Sequence, residues 1–152
     1  MKLIGVISDT HGLLRVEAVR SLSGVDLIVH AGDIGKEQVL QGLQQIAPVI
    51  AVRGNCDREP WARAYPDTEN VKIEDTRIYI LHDLNLLNMK PDETGFEIVI
   101  SGHTHKPKEE KKDGVLYLNP GSAGPRRFNL PISVALLQLY DMTITVKFVD
   151  II

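Results

Sequence analysis

Seven side chains with metal-ligating chemistry occur in five short segments of this chain: Asp9, His11, Asp33, Asn55, His82, His103 and His105. His103 and His105 are one residue apart, so on an extended backbone both rings would point to the same side. Seven donors exceed the roughly four that one tetrahedral ion takes. The set therefore predicts two divalent ions of a kind that accepts both imidazole and carboxylate, such as Mn, Fe, Zn or Ni.

Two neighbouring cations need an anionic ligand between them, because their charges repel at the roughly 3.5–4 Å that separates paired metal ions. A carboxylate bridges two ions more readily than an imidazole does. Asp33 follows the middle one of three predicted strands in the first third of the chain. We therefore predict that Asp33 bridges the two ions.

Each candidate segment follows an apolar run that predicts a β-strand. The runs "LIGVIS", "DLIVHA" and "VIAVR" come before Asp9, Asp33 and Asn55, while "RIYIL" and "EIVIS" come before His82 and His103. In open α/β sheets, ligands bind beyond the carboxyl ends of the strands. We therefore expect these side chains to meet in one crevice.

The order of predicted elements indicates an α/β protein. The strands "KLIGVIS", "VDLIVH" and "VIAVRG" alternate with the helical patterns "LLRVEAVRSL" and "KEQVLQGLQQI", which is typical of a parallel sheet. After about residue 65, six further strands with little helix predict a second, partly antiparallel sheet: "VKIED", "RIYILH", "FEIVIS", "GVLYLN", "ISVALLQLY" and "TITVKFV". We expect a four-layer α/β/β/α sandwich of two mixed sheets flanked by helices, formed by residues 1–152 as one domain.

Composition excludes several classes of partner. A net charge of −3 and an aromatic content of 5% argue against stable nucleic-acid binding. The single cysteine fits a reducing compartment, and the short apolar start "MKLIGVISD" is too short for a membrane span. We expect a cytoplasmic protein that does not bind membranes; homo-oligomer formation through an edge strand stays open.

In chain order, Asp9-x-His11, Gly32-Asp33, Gly54-Asn55-x-Asp57, His82 and Gly102-His103-x-His105 resemble the calcineurin-like metallophosphoesterase superfamily. The "GNCD" and "NPGS" segments look most like its small phosphodiesterases of the YfcE type. The resemblance implies a binuclear centre in which Asp9, His11 and His105 hold one ion, Asn55, His82 and His103 hold the other, and Asp33 bridges both. Manganese is the preferred metal, with nickel, iron, zinc and magnesium as alternatives.

The resemblance implies an enzyme that hydrolyses a P–O bond of a phosphodiester substrate with a hydroxide held between the ions. The predicted catalytic residues are Asp33, Asn55, Cys56, Asp57 and His103. The alternative is a non-catalytic metal-binding scaffold like the retromer subunit of the same fold. Retention of all seven ligand positions favours the enzyme, because a scaffold does not need them.

Two residues depart from the pattern of the family. Cys56 replaces a histidine that, in many relatives, is thought to protonate the leaving group, and a thiol is a poorer acid near pH 7. Asp57 would normally orient that histidine, so a structural hydrogen bond is the expected role here. Asp83 stands where the family commonly has glycine, and it either supports the centre from outside or points to solvent.

Three further polar residues have an open or structural role in the sequence. His30 is expected to be a hydrogen-bonded core histidine, because on its strand it faces away from Asp33. Arg126 and Arg127 either contact a substrate phosphate bidentately or are solvated loop residues.

Overall fold

The computed structural model of the protein describes residues 1–152. It contains ten strands in two five-stranded sheets and two short α-helices. In chain order these elements are β1 (Lys2–Ile7), α1 (Val16–Ser21), β2 (Leu27–His30), α2 (Glu37–Gln44), β3 (Val49–Ala51), β4 (Thr68–Ile73), β5 (Thr76–Leu81), β6 (Ile98–Ile100), β7 (Lys108–Lys112), β8 (Val115–Asn119), β9 (Ser133–Tyr140) and β10 (Thr143–Asp150).

The first sheet has the strand order β10-β9-β1-β2-β3. Its strands β1, β2 and β3 are parallel, with Ile7 beside His30 and His30 beside Ala51. Strand β9 pairs antiparallel with β1 and β10 antiparallel with β9. Helix α2 follows from apolar residues at helical spacing, because its buried Val39 and Leu43 lie on one face. The predicted alternation of strand and helix in this half is therefore confirmed.

The second sheet has the strand order β4-β5-β6-β8-β7. Strands β5, β6 and β8 are parallel, while β4 and β7 are antiparallel edge strands. Its apolar inner face packs against that of the first sheet. Val6 and Val29 of the first sheet belong to one buried cluster with Ile80, Ile100 and Leu118 of the second.

The carboxyl ends of β1 in the first sheet and of β5 and β6 in the second lie at the same edge of the sandwich. Gly102 N–H, after β6, donates to the carbonyl of His82, after β5, at 2.9 Å. His103 N–H, from the second sheet, donates to Asp9 Oδ2, from the first, at 3.0 Å. This edge is where the sequence predicts that the ligands meet.

The predicted α/β sandwich of two mixed sheets is confirmed, with two corrections to strand membership. Strands β9 and β10 belong to the first sheet, although their position after the other late strands predicted the second. Strand β7, with the sequence "KEEKK", was not predicted; all five residues are exposed at a sheet edge, so they carry no apolar pattern.

The helical layers are thinner than predicted. Helix α1 has only six residues, and Leu14 and Leu22 of its predicted pattern lie outside it. Beyond the second sheet the covering layer contains only a short 3₁₀ turn, Leu84–Leu86, after which Leu87 packs on the cluster around Val99.

Candidate metal centre

The loops after β1 and β6 supply the first group of donor atoms. Asp9 Oδ1 is fully buried and has no hydrogen-bond partner. His105 Nε2 lies 3.4 Å from it, His11 Nε2 lies 3.8 Å and His82 Nε2 lies 3.9 Å. Two ligands that each lie about 2.1 Å from one ion are about 3.0–3.4 Å apart at octahedral or tetrahedral angles. The unpartnered oxygen and its nitrogen neighbours therefore fit a divalent cation with little movement.

Asp33 connects that group to a second one. Its Oδ2 lies 3.2 Å from His82 Nε2 and 3.7 Å from His11 Nε2. Ligand atoms of Asp33, His82 and His103 all lie within 4.8 Å of one another, as do those of Asp9, His11 and His105. Asp33 contacts histidines of both groups, which is the position that the predicted bridging ligand requires.

Asn55 is placed differently from the other six candidates. Its side chain is exposed, and its Nδ2 lies 3.7 Å from Cys56 Sγ. It lines a cavity of about 550 Å³ together with His82 and His103. Arg53, which is paired with Asp67 at 2.9 Å, lies at the same cavity. Asn55 is thus beside the second donor group, on its solvent side.

The backbone at the candidate ligands is strained. Asp9, His11, Asp33, His103 and His105 all have positive φ, between 48° and 74°. An L-residue in this region costs roughly 1–2 kcal/mol. The chain has ten non-glycine residues with positive φ, and half of them are candidate ligands of this one site. Concentrated strain of this kind is typical of functional sites, and the sequence pattern gave no sign of it.

Glycines allow the loops to approach the ligands closely. A Cβ on Gly54 would overlap Asp33 Oδ1, and one on Gly102 would lie 2.7 Å from Asp9 Oδ2. A Cβ on Gly32, where φ is 100°, would lie 2.7 Å from His82 Nδ1. Each of these glycines directly precedes a candidate ligand in its motif. Only glycine fits there, because a Cβ would collide with a ligand from another loop.

Two carboxylates of the site are held ionised. Burial opposes ionisation of Asp33, but hydrogen bonds from His82 and from the Cys56 amide outweigh it, so the pKa of Asp33 is lowered. Burial likewise opposes ionisation of Asp9, and contacts with His105 and Ser8 lower its pKa overall. Ser8 Oγ donates to Asp9 Oδ2 at 2.7 Å, a contact that the sequence analysis did not anticipate. Both carboxylates are therefore in the form that binds cations.

The site shifts the pKa values of His11 and His82 in opposite directions. Burial lowers the pKa of His11 more than the nearby Asp33 and Asp9 raise it. For His82 burial also opposes protonation, but the contact with Asp33 and the charge of Asp9 raise the pKa overall.

Asp57 and Cys56 occupy contrasting environments. Asp57 is only 5% exposed, and its carboxylate accepts N–H groups of Ile34, Gly35 and Gly54 at 2.9–3.0 Å. Cys56 is exposed, and its N–H donates to Asp33 Oδ1 at 3.0 Å. Burial, and then the charge of Asp33, raise the pKa of the Cys56 thiol.

His30 is a buried structural residue, as predicted from its place on the strand. Its Nδ1 accepts the N–H of Gly32 at 3.1 Å, and its Nε2 lies 2.9 Å from Thr10 Oγ1. Thr10 Oγ1 in turn donates to the carbonyl of Ile34, so it accepts from His30. Thr10 had no assigned role in the sequence; here it joins the loops after β1 and β2.

The "NPGS" segment does more than turn the chain. Asn119 Nδ2 donates to the carbonyl of Gly102 at 2.9 Å and to Thr104 Oγ1 at 3.1 Å. Ser122 Oγ donates to the carbonyl of Asp9 at 3.1 Å. These side chains therefore fix the two loops that carry four of the candidate ligands, a role that turn propensity alone could not reveal.

Arg126 and Arg127 are exposed in the loop after this segment. Arg126 Nη1 donates to the carbonyl of Leu130 at 3.0 Å, which folds the loop on itself. The charge of Arg127 adds to the effect of burial in lowering the pKa of His11, and it partly opposes the rise that burial and Asp33 cause in the pKa of Cys56. None of the helices is long and apolar enough to cross a membrane.

Comparisons with known proteins show relatives of this chain. The chain is 39% identical over 133 residues to a probable metallophosphoesterase of Methanocaldococcus jannaschii, covering 79% of this chain and 67% of the relative. It is 30% identical to the phosphodiesterase YfcE of Escherichia coli, covering 91% of this chain and 88% of the relative.

Solved structures share the fold. A structure described as a novel archaeal phosphodiesterase is 26% identical, with a TM-score of 0.79 over 97% of this chain and 99% of that one. Vps29 of Chaetomium thermophilum has a TM-score of 0.80 over 98% of this chain and 97% of its own, at 19% identity, which shows the fold alone.

The family model of the calcineurin-like phosphoesterase superfamily domain matches residues 1–142, which include every strand of the two sheets except β10. Metal ions are implied for this family, and the donor groups around Asp9 and Asp33 suit them. The chain therefore belongs to the calcineurin-like phosphoesterase superfamily.

Proposed function

We propose that this protein is a phosphodiesterase that depends on two divalent metal ions. The observation that supports this most directly is the pair of donor groups, Asp9 with His11 and His105, and Asp33 with His82 and His103. The groups come from both sheets and share close contacts at Asp33. The proposal treats residues 1–152 as one domain, since β9, late in the chain, pairs with β1.

In this proposal Asp9, His11 and His105 hold one ion, Asn55, His82 and His103 hold the other, and Asp33 bridges them. When bound, the ions would supply Lewis acidity to the phosphoryl oxygens and lower the pKa of a water molecule. Manganese is our preferred metal among the divalent ions that accept both imidazole and carboxylate, with nickel, iron, zinc and magnesium as alternatives.

Charge supports a phosphodiester as the substrate. Two dications bring about +4, and Asp9, Asp33 and one hydroxide remove about three charges, which leaves about +1. A phosphodiester carries one negative charge and balances this. The substrate would enter the cavity of about 550 Å³ beside Asn55, His82 and His103.

The remaining residues of the predicted catalytic set differ in what they can reach. Cys56 is exposed and its N–H donates to Asp33 Oδ1, so its thiol lies where it can reach the leaving group, as a poorer acid near pH 7 than the histidine it replaces. Asp57 is bonded to three backbone amides, so we propose that it positions the loops and does not exchange a proton. Asn55 and His103 border the cavity, where they can contact phosphoryl oxygens. We place the reaction in the cytoplasm.

Chelation tests the proposal. Protein freed of metal should not hydrolyse bis(p-nitrophenyl) phosphate, and Mn²⁺ should restore the activity because the donor groups bind it. Asp33→Asn should lose more than about a hundredfold in kcat/KM even with Mn²⁺, since the bridging charge is gone. Asp75→Asn is the matched control, because Asp75 is an exposed carboxylate between β4 and β5, at the opposite end of β5 from His82.

Undiminished hydrolysis by the metal-free protein would refute metal dependence. The scaffold alternative rests on the shared fold, which does not specify function. It would be favoured if the protein bound two ions per chain yet hydrolysed none of a panel of phosphodiesters.

A further inference from the structure

Asp83 lies directly after the candidate ligand His82, where it begins the 3₁₀ turn Leu84–Leu86. Its Oδ1 accepts the N–H of Asn85 at 3.0 Å, which fixes the carboxylate. Its Oδ2 is thereby turned toward His103, whose Nε2 lies 3.8 Å away. The two side chains are partly exposed, with 24% and 39% of their surfaces accessible.

The ring of His103 has a defined orientation. Its Nδ1 lies 3.3 Å from His82 Nε2, so this nitrogen faces the donor group that contains Asp33. Its Nε2 faces outward, toward Asp83. Only one nitrogen of a neutral imidazole carries a proton, and a neighbouring acceptor decides which one.

His82 shows the same arrangement with a different acceptor. Its Nδ1 lies 2.7 Å from the carbonyl of Ala31, which can only accept, so Nδ1 carries the proton. On the other side of the ring, Nε2 lies 3.2 Å from Asp33 Oδ2, so in metal-free protein it donates a proton to that carboxylate, and a bound ion would take the place of that proton. His103 Nδ1, 3.3 Å from the same nitrogen, accepts from it, which leaves the ring proton of His103 on Nε2. Histidines that bind metals usually donate their other N–H to a carbonyl or carboxylate in this way.

We propose that Asp83 is a positioning residue that accepts a hydrogen bond from His103 Nε2–H and so directs the Nδ1 lone pair of His103 to the second ion. This rests on the proposed function, since the ion belongs to that centre. The carboxylate need approach by only about 1 Å for a hydrogen bond of about 2.8 Å. His103 needs such support, because its backbone has a φ of 74° and its ring is partly exposed.

Asp83→Asn tests the contact with His103 alone, because it keeps the hydrogen bond from Asn85 N–H. The amide oxygen can still accept the N–H of Asn85, while the amide nitrogen, a donor, replaces Oδ2. A donor facing His103 Nε2 should move the ring proton to Nδ1, which then points at the site. Asp75→Asn is the matched control, since Asp75 is an exposed carboxylate at the opposite end of β5.

The first measurement is the tautomer of His103 in metal-free protein, read from ¹⁵N chemical shifts of the imidazole and assigned by comparison with His103→Gln. We expect the Nε2–H form in the wild type and in Asp75→Asn, and the Nδ1–H form in Asp83→Asn. The second measurement is Mn²⁺ titration calorimetry. The affinity for one of the two ions should fall about 10- to 100-fold in Asp83→Asn, with the other unchanged.

An unchanged tautomer in Asp83→Asn, or an affinity for the second ion within twofold of the wild type, would overturn the inference. Failure of the proposed metal centre gives a different result, because wild-type protein would then bind no pair of Mn²⁺ ions at all, whereas failure of the proposed hydrolysis alone would leave both ions bound. In that case the role of Asp83 toward an ion fails with it, while the tautomer still reports the contact itself.

Discussion

His30 is the ionisable side chain whose protonation the fold opposes most clearly. It is fully buried, and burial lowers its pKa from the ordinary value of about 6.5 to about 4. Both ring nitrogens are already used, since Nδ1 accepts from Gly32 and Nε2 donates to Thr10. A second proton on Nδ1 would break the bond to Gly32 and place a charge in the core.

This environment predicts a loss of stability in mild acid. In unfolded chains a histidine gains its proton below about pH 6.5, whereas in the folded state His30 does so only near pH 4. Stability that is present above pH 6.5 is therefore lost as the pH falls toward 4, by an amount on the order of 3 kcal/mol. Urea unfolding of the metal-free protein at pH 7 and pH 4.5 measures it.

His30→Gln provides the comparison, because glutamine does not titrate. Its unfolding free energy should fall less between these two pH values than that of the wild type. Equal losses in the two proteins would show that His30 does not control acid stability.

Residue types and strand-end positions were enough to find the candidate ligands in the sequence. Asp9, His11, Asp33, His82, His103 and His105 converge as that reasoning required. The sequence did not reveal which contacts hold them, because these depend on tertiary geometry. The left-handed backbone of the ligands and the hydrogen bonds from Ser8, Asn119 and Ser122 became visible only in the folded chain.

At the scale of elements, Asp57 joins the ends of β2 and β3. Its carboxylate, after β3, accepts the N–H groups of Ile34 and Gly35, after β2, as well as that of Gly54. Asp33 and Asn55, one candidate ligand from each loop, are adjacent to these amides in the chain. The same carboxylate therefore sets the distance between two parts of the centre.

Asp57→Asn should destabilise the protein by about 2–3 kcal/mol. One oxygen becomes an NH₂ group that faces a backbone donor, so a buried amide loses its partner. Urea unfolding at pH 7 measures the change. Asp67→Asn should stay within about 0.5 kcal/mol of the wild type, because it removes only an exposed ion pair. A comparable loss in both variants would contradict the role assigned to Asp57.

Elements with an apolar periodicity were predictable, whereas those defined by their neighbours were not. Strands β1 to β6, β8, β9 and β10 and helix α2 were recognised from apolar residues that form continuous runs or recur at regular spacing. Strand β7 was missed because it pairs through its backbone with β8 while its side chains lie in solvent. The pairing of β9 with β1 could not be read from local sequence, since it joins residues about 130 positions apart, such as Val6 and Ala135.

For the whole molecule, the candidate centre is a junction between the two sheets. Asp9 and Asp33 come from the first sheet, and His82 and His103 from the second. Ions bound there would connect the sheets, while the unfolded chain has no such site. Binding to the folded state alone raises stability by mass action, by about 2.7 kcal/mol at a hundredfold excess over Kd.

Mn²⁺ should therefore raise the melting temperature of chelator-treated protein by about 5–10 °C at that excess, given roughly 2–4 °C per kcal/mol for a domain of this size. Differential scanning calorimetry measures the shift. Asp33→Asn should show little of it, because it lacks the bridging charge. A shift of the same size in wild type and Asp33→Asn would mean that manganese binds elsewhere.

The place of β9 in the first sheet has a consequence for biosynthesis. One flank of β1 stays open until residues 133–140 pair with it, so the first strand must pair with the ninth of the ten. Such long-range pairing is slow compared with local folding. A nascent chain on the ribosome thus exposes Asp9 and His11 long before the candidate centre is complete, and we expect metal binding only after residues 133–140 have emerged.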